Sequence, residues 1–450
     1  LPLTDAGNIV QGNACRIDWE EVCPKSKDDE IYILGNPPYK GFSQQDKGQK
    51  EDLLYTYGKT TKLDYISIWY VLGSKYISNC LKSSFAFVST NSICQGEQVA
   101  LLWPSVLNES KEIFFAYTSF KWSNNAQNNA GVTVIITGIR NKTNRLKKII
   151  NKDQVKEVKY INPYLSDVKI NVVSKRTNTL SQLNPMVLGN MPNDFGGLHF
   201  TTEEKNNIIQ DNIEASKFFK KVFGSQEFIK GIERWCIWAQ DDDYSKLNEI
   251  KVVKERLEFV KNKRANSKKL SYNKFSSKPH KFIEVRHKQG DALLVPGTSS
   301  ENREYLPIGL FNDEVIINNL AFAVYSPEIH IFSVISSKIH NVWLKNIGGS
   351  LETRIRYSSV LCYNTFPFPP ISKQRKEELT QCTLKILDER LKHSEKTLAQ
   401  LYDPDKMPEG LKEAHHQNDL AVERCYRSTP FNSDEERLEY LFKLYEKMIQ

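Results

Sequence analysis

The chain has 450 residues, with 62 Lys and Arg against 54 Asp and Glu, for a formal net charge of +8. That length suits two to four domains, and no apolar run approaches the ~20 residues that a membrane span needs. The 8 cysteines are scattered without a CxxC pair, which argues against a zinc site and a secreted disulfide scaffold and favours a reducing, cytoplasmic setting. The opening residues, LPLTDAGNIV, have neither the basic region nor the apolar run of a signal peptide. They also lack an initiator Met, so the chain is expected to be a piece of a longer protein.

Residues 1–150 read as α/β. Residues 8–14 are expected to form a short strand, and residues 31–34 a buried one. The second strand stops abruptly in Gly35, Asn36, Pro37, Pro38 and Tyr39. Neither proline can donate to a sheet ladder, and Pro38 keeps Pro37 out of helical geometry. The result is a rigid loop at the C-terminal edge of a strand, where open α/β sheets place their ligands. It offers an amide, a carbonyl without a competing local donor and an aromatic ring, the groups needed to hold a planar base and its exocyclic amine.

Further along, residues 63–81 carry apolar side chains at helical spacing (Leu63, Ile66, Tyr70, Ile77). Residues 85–89 read as a compact buried strand. Residues 112–118 and 131–139 read as two more, joined by the polar loop 123–129. This is the second half of a doubly wound sheet. The Gly-rich cofactor loop of a first half is not in these residues.

Residues 151–185 are basic and polar and read as a connector. Residues 186–370 mix strands, turns and basic runs without βα alternation, an α+β pattern. Their turn signals include Pro192-Asn193, Gly196-Gly197 and Gly348-Gly349. The clearest electrostatic feature is residues 251–288, centred on Lys261, Lys263, Arg264, Lys268 and Lys269, with Phe259, Tyr272, Phe275 and Phe282 interleaved. Such a pattern suits a phosphate backbone; an arbitrary charge run is more often a solvated helix face. Residues 371–450 read as helical: 373–401, 413–426 and a helix after Ser433, where Glu436 would complete a capping box.

The NPPY loop resembles motif IV of amino-methylating DNA methyltransferases. Six further blocks extend the likeness: residues 87–104, 120–139, 223–238, 299–311, 356–369 and 399–422. In this order they resemble the MmeI-like, type IIL restriction–modification enzymes. That family joins a nuclease, a helical spacer, an adenine methyltransferase, a target-recognition domain and a helical C-terminal part in one polypeptide. The resemblance implies a partial Rossmann-like class I methyltransferase sheet in 1–150, an α+β target-recognition domain in 186–370 and a helical region in 371–450. It also implies site-specific methylation of adenine in double-stranded DNA with S-adenosylmethionine, and no membrane. The nuclease and cofactor loop would lie on the missing N-terminal part of the same polypeptide. The fragment alone is then expected to be inactive. The alternative is a sequence-specific DNA-binding module without catalysis.

The resemblance also assigns roles. An adenine amine is a poor nucleophile because its lone pair is delocalised. The Asn36 side-chain oxygen and the Pro37 carbonyl would accept its hydrogens, Pro38 would stiffen the loop and Tyr39 would stack on the base. The base must first leave the duplex, at roughly a few kcal/mol. A second aromatic on its other face would be Trp122 or Phe120, with Trp122 favoured. Asn13 would contact the cofactor's adenine ring, or be a turn Asn. Arg303, Arg354 and Arg356 are DNA-contact candidates, with Glu301 and Asn302 beside them. Glu227 and Arg234 read equally well as a structural ion pair. The histidines show no metal spacing.

Overall fold

Two prolines end a strand early in the chain, and the sheet is built away from them. The computed structural model describes residues 7–108, 110–122, 132–152, 154–168, 172–351 and 354–450. These fall into two units, residues 1–175 with 346–352, and residues 176–345 with 353–450.

The first unit holds a six-stranded sheet: β1 (Tyr32–Gly35), β2 (Ser84–Thr90), β3 (Lys111–Trp122), β4 (Val132–Asn141), β5 (Lys147–Asn151) and β6 (Gln154–Val158), in the order β1-β2-β4-β3-β5-β6. β1 runs parallel to β2, from Tyr32 opposite Ser84 to Gly35 opposite Phe87. β4 is antiparallel to both β2 and β3. Its β-branched run VTVII suits a pleated surface packed on both sides, and Val134, Ile135 and Ile139 are buried.

The helix Ser67–Tyr76 covers this sheet. Tyr70 meets Phe85, Phe87 and Trp103 edge-on, with centroids 6.0, 5.5 and 5.8 Å apart, the preferred geometry for aromatic quadrupoles. Its hydroxyl bonds Thr137 Oγ1 at 2.6 Å. A Cβ at Gly73 would lie 3.1 Å from the Phe85 ring, so the small residue sets how closely helix and strand approach. The helix is shorter than the expected 63–81. Leu63, Ile66 and Ile77 are buried, but outside the regular turns.

Three sequence expectations change here. Residues 8–14 form no strand: Ile9 and Val10 are exposed, and the segment turns at Asn13, whose carbonyl accepts from Arg16 N and Ile17 N. β1 is not buried. Tyr32 is 63% and Leu34 75% exposed, because β2 is the only strand beside β1 among the described residues. β5 and β6 carry the sheet to Val158, inside the stretch read as connector. The loop 123–129 lies outside the described residues.

The second unit has two four-stranded sheets without βα alternation. One contains Val315–Ile317, Phe219–Phe223, Trp235–Ile237 and His199–Phe200, in that order; the other contains Gly309–Phe311, Ala292–Pro296, Ala321–Tyr325 and Val187–Leu188. The first packs Phe200, Phe219 and Ile237 against Leu257, Val260 and Phe282. Long helices follow at Lys373–Leu391, Glu409–Glu423 and Asp434–Ile449. The expected 373–401 helix breaks, and Thr397 opens a separate short helix through a capping box with Gln400. Ser433 accepts from Glu436 N as anticipated, but the Glu436 carboxylate returns to Asn432 N rather than to Ser433.

Within the second unit Asp419 is buried, accepting from Tyr305 Oη at 2.8 Å and Lys338 N at 2.7 Å. Burial pushes its carboxyl up to about 7 from 3.8. Between those values the folded state holds a proton that the unfolded chain releases, so this group's contribution to stability falls as pH rises from about 4 to 7. Asp419→Asn should flatten that part of the profile, as read from urea midpoints between pH 4 and 8. In the first unit, Tyr70→Phe should cost about 1–2 kcal/mol by stranding the Thr137 hydroxyl, measured by urea unfolding.

Candidate functional site

The loop after β1 contributes Asn36 and Pro37 to the lining of a cavity of about 600 Å³, together with Gly12, Trp19, Trp69 and Tyr76. Pro37 is buried, Tyr39 is half-buried, and Asn36 and Pro38 are exposed. No described residue engages the Asn36 amide. The loop is held from behind. Lys40 O accepts from Tyr65 N at 2.9 Å and from Gln45 Nε2 at 3.0 Å, and Gln45 Nε2 also reaches Leu63 O at 3.0 Å. Asp64 accepts from Ser92 Oγ at 2.6 Å and from the Phe42 backbone N–H. Burial raises its carboxyl pKa against those two bonds.

Asn13 sits in a second polar cluster. Its Nδ2 donates to both oxygens of Asp52, at 3.1 and 3.2 Å, and its Oδ1 accepts from Cys15 N at 2.9 Å. Asp52 also takes Arg16 Nε and Tyr65 Oη, each at 2.7 Å. Burial alone would raise the Asp52 pKa, but the donors from Tyr65, Arg16 and Asn13 hold it below the usual carboxylate value. The Asn13 side chain thus ties the backbone at Cys15 to Asp52, beside Gly12 and Ala14, which line the cavity. Phe120 packs on Tyr117, with centroids 5.0 Å apart. Trp122 closes β3 opposite Val132, and its side chain is outside what the structure describes.

In the second unit the basic stretch separates into two populations. On the helix Lys251–Ala265, Val253, Leu257, Val260 and Arg264 share the buried face. Arg264 is fully buried, so it does not belong with the DNA-contact residues. All five of its N–H donors meet carbonyls: those of Asn193, Phe275, Lys278, Pro192 and Lys281, at 2.8–3.3 Å. Burial lowers its pKa to about 10. The spacing 253, 257, 260, 264 already carried this signal, since it places Arg264 on the apolar stripe.

Arg256 is likewise structural, bonding His199 O at 2.6 Å and pairing with Glu204. By contrast, Lys261, Lys263, Lys268 and Lys269 are exposed. Arg303 is half-buried and donates to Ser299 Oγ at 3.2 Å; Arg354 is half-buried and Arg356 exposed. Glu301 and Asn302 are exposed. Arg234 pairs with Glu227 at 3.2 Å, and Glu227 also caps Gly224 N, so this is a structural ion pair. Among the described residues no group of three or more His, Cys, Asp or Glu could hold a metal ion, and no helix is long and apolar enough to cross a membrane.

Three domain descriptions match in series: the MmeI DNA-methyltransferase domain over residues 1–151, the MmeI target recognition domain over 167–370 and the MmeI C-terminal domain over 371–450. The chain belongs to the MmeI family. The solved structure of the type IIL restriction–modification enzyme MmeI in complex with DNA aligns with a TM-score of 0.91 at 38% identity, covering 100% of this chain and 61% of that one. DNA methyltransferase A of Bacillus subtilis (strain 168) is 44% identical over 454 residues, covering 100% of this chain and 51% of the relative. The chain thus spans about half the length of that relative. Within the MmeI family's divisions, the Asn36 loop lies in the methyltransferase match and Arg264 in the target-recognition match.

Arg264→Lys leaves several of the five carbonyls without donors, since an ammonium cannot reproduce the planar fork. It should lower the stability of the second unit by about 2–3 kcal/mol in urea unfolding. Lys261→Ala and Lys268→Ala should stay within about 0.5 kcal/mol.

Proposed function

We propose that this chain is the base-binding and DNA-reading part of an adenine-specific DNA methyltransferase that takes its methyl group from S-adenosylmethionine. The observation that carries this reading is Asn36: an exposed amide that no described residue engages, next to the Pro37 carbonyl, in the lining of a largely apolar cavity and on a loop pinned from behind. Two acceptors on the amine hydrogens draw nitrogen toward tetrahedral geometry and free its lone pair. Positioning and electrostatics then supply the catalysis, without a general base of tuned pKa. Pro38 stiffens the loop and Tyr39 stacks on the flipped base. The opposing ring comes from the end of β3, Trp122 or Phe120.

The cavity fits part of the cofactor. Trp19, Trp69 and Tyr76 offer flat apolar walls for a purine ring, and Asn13 holds the adjoining backbone. Among the described residues no Asp or Glu lines the cavity to receive ribose hydroxyls. When bound, S-adenosylmethionine supplies an electrophilic methyl group. The residues that hold its ribose and methionine are expected on the N-terminal part of the same polypeptide. In the second unit, Lys261, Lys263, Lys268 and Lys269 contact phosphates, and Arg303, Arg354 and Arg356 lie near the DNA. The setting is cytoplasmic.

In the longer polypeptide, Asn36→Ala should cut kcat by about 10²–10³ while duplex affinity stays within about twofold. Tritiated methyl transfer and gel shifts read the two quantities; parallel loss of binding would remove the assigned role. The 450 residues alone should bind duplex DNA without transferring label, and robust transfer by this chain would overturn the division of the cofactor site.

A further inference from the structure

The turn at residues 194–197 has a feature that methyl transfer does not use. Gly197 N bonds Asp194 O at 3.0 Å, and the two central residues, Phe195 and Gly196, have φ of +56° and +89°. Left-handed φ at both centres is the type I′ pattern, which favours Gly, Asn and Asp. A phenylalanine there is strained. Burial does not hold it, since Phe195 is 50% exposed.

The base of the turn is rigid. The Asp194 carboxylate accepts from Leu198 N at 2.7 Å and from His199 Nδ1 at 2.9 Å. Arg264 holds the carbonyls of Pro192 and Asn193, and Tyr272 Oη donates to Asn193 Oδ1 at 2.8 Å. A Cβ at Gly197 would fall 2.4 Å from Val260 Cγ2, so the turn is pressed onto its helix. The Phe195 ring meets Tyr272 edge-on at 6.2 Å, and Lys269 Nζ stands 5.0 Å from the Tyr272 centroid. Lys268 and Lys269 are exposed.

Strained residues persist where the surroundings over-determine them, and they concentrate at functional sites. Apolar side chains on rigid supports beside cations serve as wedges that part base steps. We propose that Phe195 is such a wedge, held by this turn against duplex DNA, with Lys268 and Lys269 on the adjoining phosphates. The inference rests on the DNA-binding reading of the second unit.

The test uses the full 450-residue chain and a fluorescein-labelled duplex of mixed sequence, titrated by anisotropy across salt concentrations. Phe195→Ala and Phe195→Gly should each weaken binding about tenfold and leave the salt slope unchanged, because no ion contact is lost. The Lys268→Ala/Lys269→Ala double variant should instead reduce the slope by about 2. Phe195→Gly should melt no lower than the parent, since glycine accepts left-handed φ freely. p-Benzoylphenylalanine at position 195 should photocrosslink to the duplex. Unchanged affinity in both Phe195 variants, or a marked fall in the melting temperature of Phe195→Gly, overturns the wedge while the DNA-binding reading stands. Failure of the parent chain to bind duplex overturns that reading and the wedge with it.

Discussion

Two consecutive prolines cannot join a sheet ladder, and the first unit depends on that constraint. β1 must stop at Gly35, which leaves the Asn36 amide and the Pro37 carbonyl at the end of the strand. A loop is only as rigid as its anchor, and here the anchor can be followed contact by contact. Lys40 O is tied to Tyr65 N and to Gln45; Asp64 is tied to Ser92 and Phe42. The helix that starts just after Tyr65 carries Tyr70, whose hydroxyl reaches Thr137 in β4. The acceptors proposed for the amine are thereby referenced to the middle of the sheet.

The second unit uses a different kind of anchor. Arg264 is a buried cation whose five donors all meet main-chain carbonyls. Five carbonyl dipoles replace water around the charge, with distant help from Asp194. Burying a charge is costly unless it is fully hydrogen-bonded, so the segments around 192 and 275–281 have little freedom to move independently. One side chain thus sets the relative position of two surface segments that carry exposed polar and aromatic groups.

Local features were legible in the sequence, and features that depend on neighbours were not. The NPPY loop reads directly because proline acts on its own backbone. β2 and β4 read from their apolar runs. Residues 8–14 have the composition of a strand, but a strand needs a partner, and the described residues give them none. The same dependence misled the reading of β1: its apolar run implies cover on both faces, yet Tyr32 and Leu34 are exposed. The family resemblance suggests a cofactor contact for Asn13, whereas its observed partner Asp52 lies 39 residues away, and no local pattern announces that bond. Arg264 was misread because charge was counted along the chain without regard to helical phase. Asp64 takes both of its donors from other segments, Ser92 and Phe42, which no local pattern in the sequence announces.

The exposed edge of β1 has a further consequence for how the molecule behaves in concentrated solution. Among the described residues β1 has no partner on its outer side, and an unpaired apolar edge without lysines is a template for strands of other copies, the ordinary route to edge-to-edge aggregation. β1 offers only four residues, Tyr32–Gly35, before the chain turns to proline. An intermolecular ladder seeded there cannot extend past Asn36, since neither Pro37 nor Pro38 has a hydrogen to donate. The residues that shape the base-binding loop also act as gatekeepers, capping the length of any rogue sheet the chain could start from that edge.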